Sequence, residues 1–426
     1  MKFCTLTREQ YDAFASKHEY ANFLNSVYSK DKIELGSNWK GEFVGVVDKE
    51  EVVAATLLTY IPLRNKKCYF YAPRGFLIDY RNKELLNFFC SALLKHMKEL
   101  NGLYLKIDPY VPYQQHDMNG DIVEGGFNNQ DMIDNLVALG YEHQGFTKGY
   151  DESVQCRWMS VLDLQNTDEK TLLKNMDSQT RWAINKTLKL GIRVREIGED
   201  ELYKFDQIMK HTSVRRGFSD TDESYYHQQM QTYGKGNIIK FVLAELDLNE
   251  YEATLNEQIR VREEELVEVE KVLSEIAKSK KFNKRKKVLL EEIEDIKKKI
   301  KDNEELWPDA VDGVLTLAGS SFMIYGKEVV YLTSGAYDKY MKLNASYAIQ
   351  WYMIRYALER SIPNYNFYGI SGLFDPESEG YGVFNFKRGF RADVVELLGE
   401  FILPVDKRAY KNYLFLQKMK SKLKGH

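Results

Sequence analysis

The chain has little with which to build a redox, metal or nucleotide centre. Its 426 residues hold four cysteines, Cys4, Cys68, Cys90 and Cys156, scattered with no CxxC pair. A disulfide framework and a thiolate metal site are therefore not expected. The histidines, His18, His96, His116, His143, His211, His227 and His426, show no metal-ligand spacing with one another or with cysteine. No GxSxG elbow, P-loop or dinucleotide GxGxxG is present, and Gly380-Tyr381-Gly382 is an isolated GxG that reads as a turn in a polar loop. A glycine-rich pyrophosphate cradle at a helix start is also missing, which disfavours a coenzyme A donor. No metal or cofactor is expected. No apolar run reaches membrane-spanning length and no signal-peptide pattern is seen, so the chain reads as cytoplasmic, with reduced thiols. The formal net charge of −3 gives no global attraction to nucleic acid or an anionic membrane. Basic residues are instead clustered, from Lys278 to Lys287 and from Lys407 to Lys424.

What is present is repetition. From Phe43 the chain gives FVGVVD, EVVAATLLTYIPL and CYFYAPRGFLIDY, then an apolar helical run (ELLNFFCSALLKHMKEL), then GLYLKIDP. From Phe241 the order recurs as FVLAELDL, GVLTLAGSSFMIYG, VVYLTSGAYDKY, a helical run (YAIQWYMIRYALERSI) and YNFYGISG. Each half reads as strand, strand, strand, helix, strand, with β-branched and aromatic strands and 3.6-period helices. A helical pair precedes each half, beginning near Thr7 and Asn25 and near Asp200 and Glu223. The expected architecture is α/β (α+β): two tandem lobes resembling the acyl-CoA N-acetyltransferase (GNAT) fold. The expected division is a first lobe over 1–150, a second over 151–247 and 307–395, and a C-terminal strand and basic helix over 396–426.

Residues 248–306 interrupt the second copy. Leu255, Ile259, Leu266, Val269, Leu273 and Ile276 follow three-and-four spacing, broken by Arg262; Phe282, Leu289, Ile293, Ile296 and Ile300 do the same, broken by Lys286. Nearly everything between is Glu, Lys or Arg, so the seam is too narrow for a core wall and fits an antiparallel coiled-coil helical hairpin. Each arm of about 25 residues would reach roughly 35–40 Å. The first half has only a short Asp-Lys-Glu turn at this place, and an insertion at a strand-to-strand turn leaves its host sheet intact.

In their order and spacing, PRGFLIDY (73–80), IDPYVPYQ (107–114), LGYEHQGFTKGYDESVQCRW (139–158), RWAINKTLKLGIRV (181–194), FYGISGLFD (367–375) and GVFNFKRGF (382–390) resemble the Fem family of peptidoglycan bridge aminoacyltransferases, nearest to its FemA and MurN types. The likeness runs over almost the whole chain. It implies transfer of Gly, Ala or Ser from aminoacyl-tRNA to an amine of a lipid-linked peptidoglycan precursor, building or extending the interpeptide bridge. Other Fem-type enzymes would be possible partners. Two other readings stay open: an acyl-CoA-dependent N-acyltransferase, and a non-catalytic scaffold of bridge synthesis.

The resemblance also implies roles for individual residues. Lys387, after Phe386, matches the family lysine at the reacting carbonyl, where a cation would stabilise an oxyanion or help the ribose oxygen leave; the alternative is an exposed lysine at a strand end. Asp108, in the family's Asp-Pro position, would orient or deprotonate the acceptor amine, or simply open a turn. Phe386, Tyr110, Tyr113 and Tyr331 would line the substrate groove. Arg74, Arg157 and Arg181 would contact anions, or form surface salt bridges. The family's phosphate-binding pair, a lysine eight residues after a glutamine and an arginine shortly before an aromatic pair, is altered: the glutamine position reads Asn25, the lysine position Ile33 with Lys30 and Lys32 near it, and the arginine position Thr221 with Arg215 and Arg216 a few residues earlier; Lys32, Arg216 and Tyr225, of the aromatic pair Tyr225-Tyr226, are the substrate contacts expected here. At the hairpin tip Lys280, Lys281, Lys284, Arg285, Lys286 and Lys287 would lie along tRNA phosphates, unless the arm is a strut or docks a partner. The basic C-terminal helix either packs on a lobe or makes a peripheral contact with the inner face of the membrane.

Overall fold

The structure, a computed structural model, describes residues 1–63, 66–151, 154–217 and 222–424. Two mixed sheets carry the two lobes. The first has seven strands in the order Lys2–Thr5, Lys40–Asp48, Glu51–Pro62, Cys68–Ala72, Gly102–Ile107, Phe401–Pro404, Glu142–His143. The second has eight: Pro112–Gln115, Asp393–Leu397, Trp158–Asp163, Asn364–Ile370, Glu328–Ala336, Val314–Tyr325, Ile239–Asp247, Arg193–Ile197.

The repeat read from the sequence is visible in the strand directions. Each sheet is antiparallel except for one parallel pair, Cys68–Ala72 with Gly102–Ile107 and Glu328–Ala336 with Asn364–Ile370. Parallel neighbours need a crossover, and the two apolar helical runs supply it. Lys83–Glu99 buries Leu86, Phe89, Leu93 and Met97, and Ala345–Glu359 buries Ile349, Met353, Ile354 and Ala357. Each face follows from 3.6-residue spacing, and each packs on its own lobe's sheet in a separate core.

The lobes also trade strands. Phe401–Pro404, from the C-terminal end, pairs with Gly102–Ile107 inside the first sheet. Pro112–Gln115, from the first half of the chain, pairs with Asp393–Leu397 at the edge of the second. The sequence halves are thus not spatially separate.

Leu248–Glu275 and Lys280–Glu304 form the two arms of the inserted hairpin and bury Leu255, Val269, Leu289, Ile293 and Ile296 along their seam. The two breaks in the apolar stripe are ion pairs across it: Arg262 Nε donates to Glu292 Oε2 at 3.1 Å, and Lys286 Nζ lies 2.7 Å from Glu270 Oε1. Below the hairpin Asp247 pairs with Val314 and the ladder runs on to Ile239 and Met323, so the host sheet is continuous. Among the described residues no helix is long and apolar enough to cross a membrane.

Candidate active site at the lobe seam

Two of the sequence motifs meet at one turn. After the strand Cys68–Ala72 the backbone turns through Arg74 and Gly75, at φ 58° and 74°. A Cβ on Gly75 would stand 2.7 Å from Pro109 Cα, so this crossing needs glycine. Arg74 N donates to Asp108 Oδ1 at 2.8 Å, and Tyr110 N to the Arg74 carbonyl at 3.1 Å. Arg74 and Asp108 are 1% and 4% exposed, with Nη1 3.6 Å from Oδ2. Burial pushes the Asp108 carboxyl up to about 6, against the pull of Arg74. Among the described residues its Oδ2 and Arg74 Nε have no hydrogen-bond partner. Both residues border a cavity of about 30 Å³, together with Cys156 and Arg157, which is room for one water.

The second half of the chain contributes a bulge. Asn364–Ile370 pairs with Trp158–Asp163, and the register shifts between Asn366 and Gly369. Asn366 Oδ1 accepts from Tyr368 N at 2.7 Å, supporting Tyr368 at φ 64°. A left-handed tyrosine is strained, and such strain persists only where its surroundings enforce it. The bulge aims carbonyls at Lys387, whose Nζ donates to the Tyr368 and Gly369 oxygens at 3.2 and 2.7 Å. Lys387 is not an exposed lysine at a strand end. It sits in the helix Tyr381–Arg388, 5% exposed, and Gly380, at φ 83°, is the N-cap of that helix. The GxG read as a loop turn therefore starts the lysine's helix. Burial drives the Lys387 ammonium down to about 7, with Cys156 opposing the shift. Arg74 links the two halves: Nη1 and Nη2 both donate to the Cys156 carbonyl at 3.2 Å, and Nη2 is 3.5 Å from Cys156 Sγ. Asp108, Arg74 and the half-buried Cys156 thus form one chain of contacts across the seam, and the buried Lys387, held by the bulge, feels the Cys156 end of it.

Tyr110 joins this chain through a network whose other members the sequence did not single out. Its hydroxyl donates to Glu328 at 2.8 and 3.1 Å and accepts from Asn366 Nδ2 at 2.9 Å. Glu328 also accepts from Asn366 at 2.9 Å and from Asn22 at 3.2 Å. Burial raises the Glu328 carboxyl, against its hydrogen bonds. The available signal was a Glu opening an apolar strand and an Asn within another.

Of the remaining residues, Arg157 borders the same cavity and Phe386 adjoins Lys387, and the others lie elsewhere. Lys32 and Tyr225 do meet, between Val27–Glu34 and Glu223–Tyr233: Lys32 Nζ is 4.8 Å from the Tyr225 ring centroid and donates to Gln228 Oε1 at 2.8 Å. Burial lowers the Lys32 ammonium. Asn25 is buried, its Oδ1 accepting from Asn22 N; Ile33 is half-buried, Arg216 is exposed at the end of Leu202–Arg216, and Thr221 lies outside the described residues. Arg157 is committed to Glu396 at 2.5 Å, which also bonds His116 at 2.7 Å. Tyr113 stacks on Phe146 at 4.7 Å, Tyr331 on Phe322 at 5.5 Å, and Phe386 packs edge-on to Tyr347 at 5.0 Å. Arg181 bonds the Lys174 carbonyl at the surface. On the hairpin, Arg285, Lys286 and Lys287 pair with Glu265, Glu270 and Glu291. Lys280, Lys281 and Lys284 form no ion pair among the described residues. A cavity of about 810 Å³ opens at the hairpin root between Tyr203, His211, Tyr337 and Lys339, and holds none of the residues expected to act.

This constellation sits in a chain with whole-length relatives. It is 37% identical over 421 residues to the aminoacyltransferase FemA of Staphylococcus epidermidis, covering 99% of this chain and 100% of the relative. The FemA of Staphylococcus aureus strain MRSA252 is 35% identical over 424 residues, with the same coverage. The crystal structure of FemX superposes with a TM-score of 0.83 at 24% identity, covering 96% of this chain and 99% of that one, and so shares the fold. The FemAB family model matches residues 6–418, and the chain belongs to that family.

Proposed function

We propose that this protein is an aminoacyltransferase of peptidoglycan interpeptide-bridge synthesis. It moves a Gly, Ala or Ser residue from aminoacyl-tRNA to an amine of a lipid-linked precursor. The observation that carries the reading is the buried Lys387, held by two backbone carbonyls at the lobe seam with its ammonium at about 7. An aminoacyl ester is already activated, so no covalent enzyme intermediate is required. The site must position the ester, stabilise negative charge on its carbonyl oxygen and return a proton to the departing ribose oxygen. A lysine near neutrality can do both of the latter. Asp108, at about 6, is ionised at neutral pH and can take a proton from the attacking amine.

The chemistry favours a bridge-extending role. A lysine side-chain amine titrates at about 10.4 and an α-amine at about 7.7–8.0. An acceptor that already carries one bridge residue thus needs less help from a base. The acceptor pyrophosphate would be held by Lys32 beside Tyr225. The hairpin tip would follow tRNA phosphates through Lys280, Lys281 and Lys284, and the protein would meet the inner face of the membrane peripherally.

The test is transfer from separately charged Gly-, Ala- and Ser-tRNA to two lipid-linked precursors, one with a bare stem lysine and one already bearing a bridge residue. Transfer to the second alone is expected. Transfer to the bare lysine alone would overturn the extending role, and no transfer to either would overturn the aminoacyltransferase reading.

A further inference from the structure

The C-terminal helix Lys407–Lys424 has two faces, and the first lobe accounts for one of them. Tyr410 is buried, and the Tyr410 and Tyr413 rings lie 5.1 and 5.9 Å from Tyr104. Tyr104 stacks on Tyr69 at 4.7 Å, and Tyr69 meets Trp39 at 5.5 Å. Lys67 bonds Asp406 at 2.9 Å just before the helix begins. The helix is thus riveted along its Tyr410–Tyr413 side to the sheet.

Its other side is bare and apolar. Phe415, Leu416 and Met419 are 64%, 53% and 47% exposed, and Leu414 is 47% exposed beside them. At 3.6 residues per turn, Phe415, Leu416 and Met419 share a face turned away from Tyr410 and Tyr413. Single exposed apolar residues need no explanation, but three on one face within five positions form a patch. The charge around it is of one sign. The segment Lys407–Lys424 holds seven lysines and arginines and no Asp or Glu; against a whole-chain net charge of −3, the remainder of the protein stands at −10. A protein that is otherwise acidic presents this apolar patch on a helix without a single acidic residue, with Lys407, Arg408 and Lys411 exposed at the anchored end.

We infer that this helix is an interfacial anchor for an anionic lipid surface: Phe415, Leu416 and Met419 enter the acyl boundary while the flanking lysines and arginines meet lipid phosphates. Apolar area and basic charge on one helix are the two contributions that bind a helix in the plane of a bilayer. An acidic protein partner would match the charge but not the apolar face, and a second copy packed patch to patch would set two helices of seven basic residues each against one another. The inference rests on the proposed acceptor being lipid-linked. The anchor would hold the enzyme where that acceptor resides.

The experiment uses the full chain and the triple variant F415S/L416S/M419S, which leaves the packed face and the lobe seam untouched. Co-sedimentation is measured with vesicles of phosphatidylglycerol and phosphatidylcholine, and with phosphatidylcholine alone. The wild type should partition at least about tenfold more strongly to the anionic vesicles, weakening as salt rises. The triple variant should lose about tenfold, and K407Q/R408Q/K411Q should lose the preference for anionic lipid. Turnover of a vesicle-borne acceptor should fall in the triple variant, while turnover of a water-soluble acceptor analogue stays at the wild-type level. Equal vesicle binding by wild type and triple variant would overturn the inference. A wild-type dimer that the triple variant converts to monomer would also overturn it, assigning the face to a second copy. Failure of the wild type on the soluble acceptor would instead defeat the transferase reading and leave the vesicle result standing.

Discussion

Lys387 carries a cost that depends on pH. A charged ammonium taken out of water is destabilising unless its bonds make up the loss, and here two carbonyls leave it at about 7 against about 10.4 for a free lysine. Below pH 7 folded and unfolded chains both hold the proton, and the penalty is at its full size. Between pH 7 and about 10.4 the unfolded chain keeps a proton that the folded chain has shed, so stability rises with pH; beyond that the penalty is gone. Lys387→Met should therefore be more stable than wild type at pH 6, and urea titrations should show the gap closing towards pH 10. A gap independent of pH would contradict the burial. The same variant should lower kcat about 10²–10³-fold, the usual cost of losing one oxyanion donor, with little change in acceptor KM. Asp108→Asn keeps the bond from Arg74 N but removes the base. It should slow transfer by about 10²-fold or more, and pH–rate profiles should lose the limb near 6. Lys387 was legible only through the family string NFKRGF. Its burial was not, because it depends on a helix start at Gly380 and a bulge at Tyr368 that no local pattern announces.

At the scale of elements, the hairpin shows how charge near a tip divides between folding and binding. Arg285, Lys286 and Lys287 neutralise carboxylates of the hairpin itself, so a count of basic residues overstates what an RNA would meet. Replacing Lys280, Lys281 and Lys284 together with glutamine should weaken tRNA binding and reduce the slope of log K against log salt by about 2–3. Lys286→Gln should leave that slope alone and instead cost the hairpin up to about 1 kcal/mol, since its partner pair is surface-exposed. An equal slope in wild type and triple variant would remove the arm from the RNA path. Elements such as this were legible because their signal is periodic and local: Leu255, Val269, Leu289, Ile293 and Ile296 are both the stripe and the seam. Arg262 and Lys286 looked like gaps, since a pattern of apolar residues cannot show that Glu292 and Glu270 stand opposite.

At the scale of the whole molecule, what joins the lobes was the least legible part, because its members are far apart in the chain. Asn22 and Glu328, bonded at 3.2 Å, are separated by 306 positions. The exchanged strands Phe401–Pro404 and Pro112–Gln115 likewise pair across the boundary between the halves. Two lobes that merely touched would unfold in two steps, since each has its own core. Lobes that share strands and a buried carboxylate network lose both when either opens. Thermal or urea unfolding of the body should therefore be a single transition, and removing the chain from Gly399 onward should destabilise the first lobe by opening its sheet between Gly102–Ile107 and Glu142–His143. The network gives the sharper test. Glu328→Ala leaves the Tyr110 hydroxyl, Asn366 and Asn22 without their shared acceptor, and should cost about 3 kcal/mol or more. Tyr110→Phe removes one of several bonds and should cost about 1–2 kcal/mol. Because Asn366 also supports the strained Tyr368 whose carbonyl holds Lys387, Glu328→Ala should reduce kcat as well as stability. A variant equally unstable but fully active at a temperature where it is folded would separate the seam from the site.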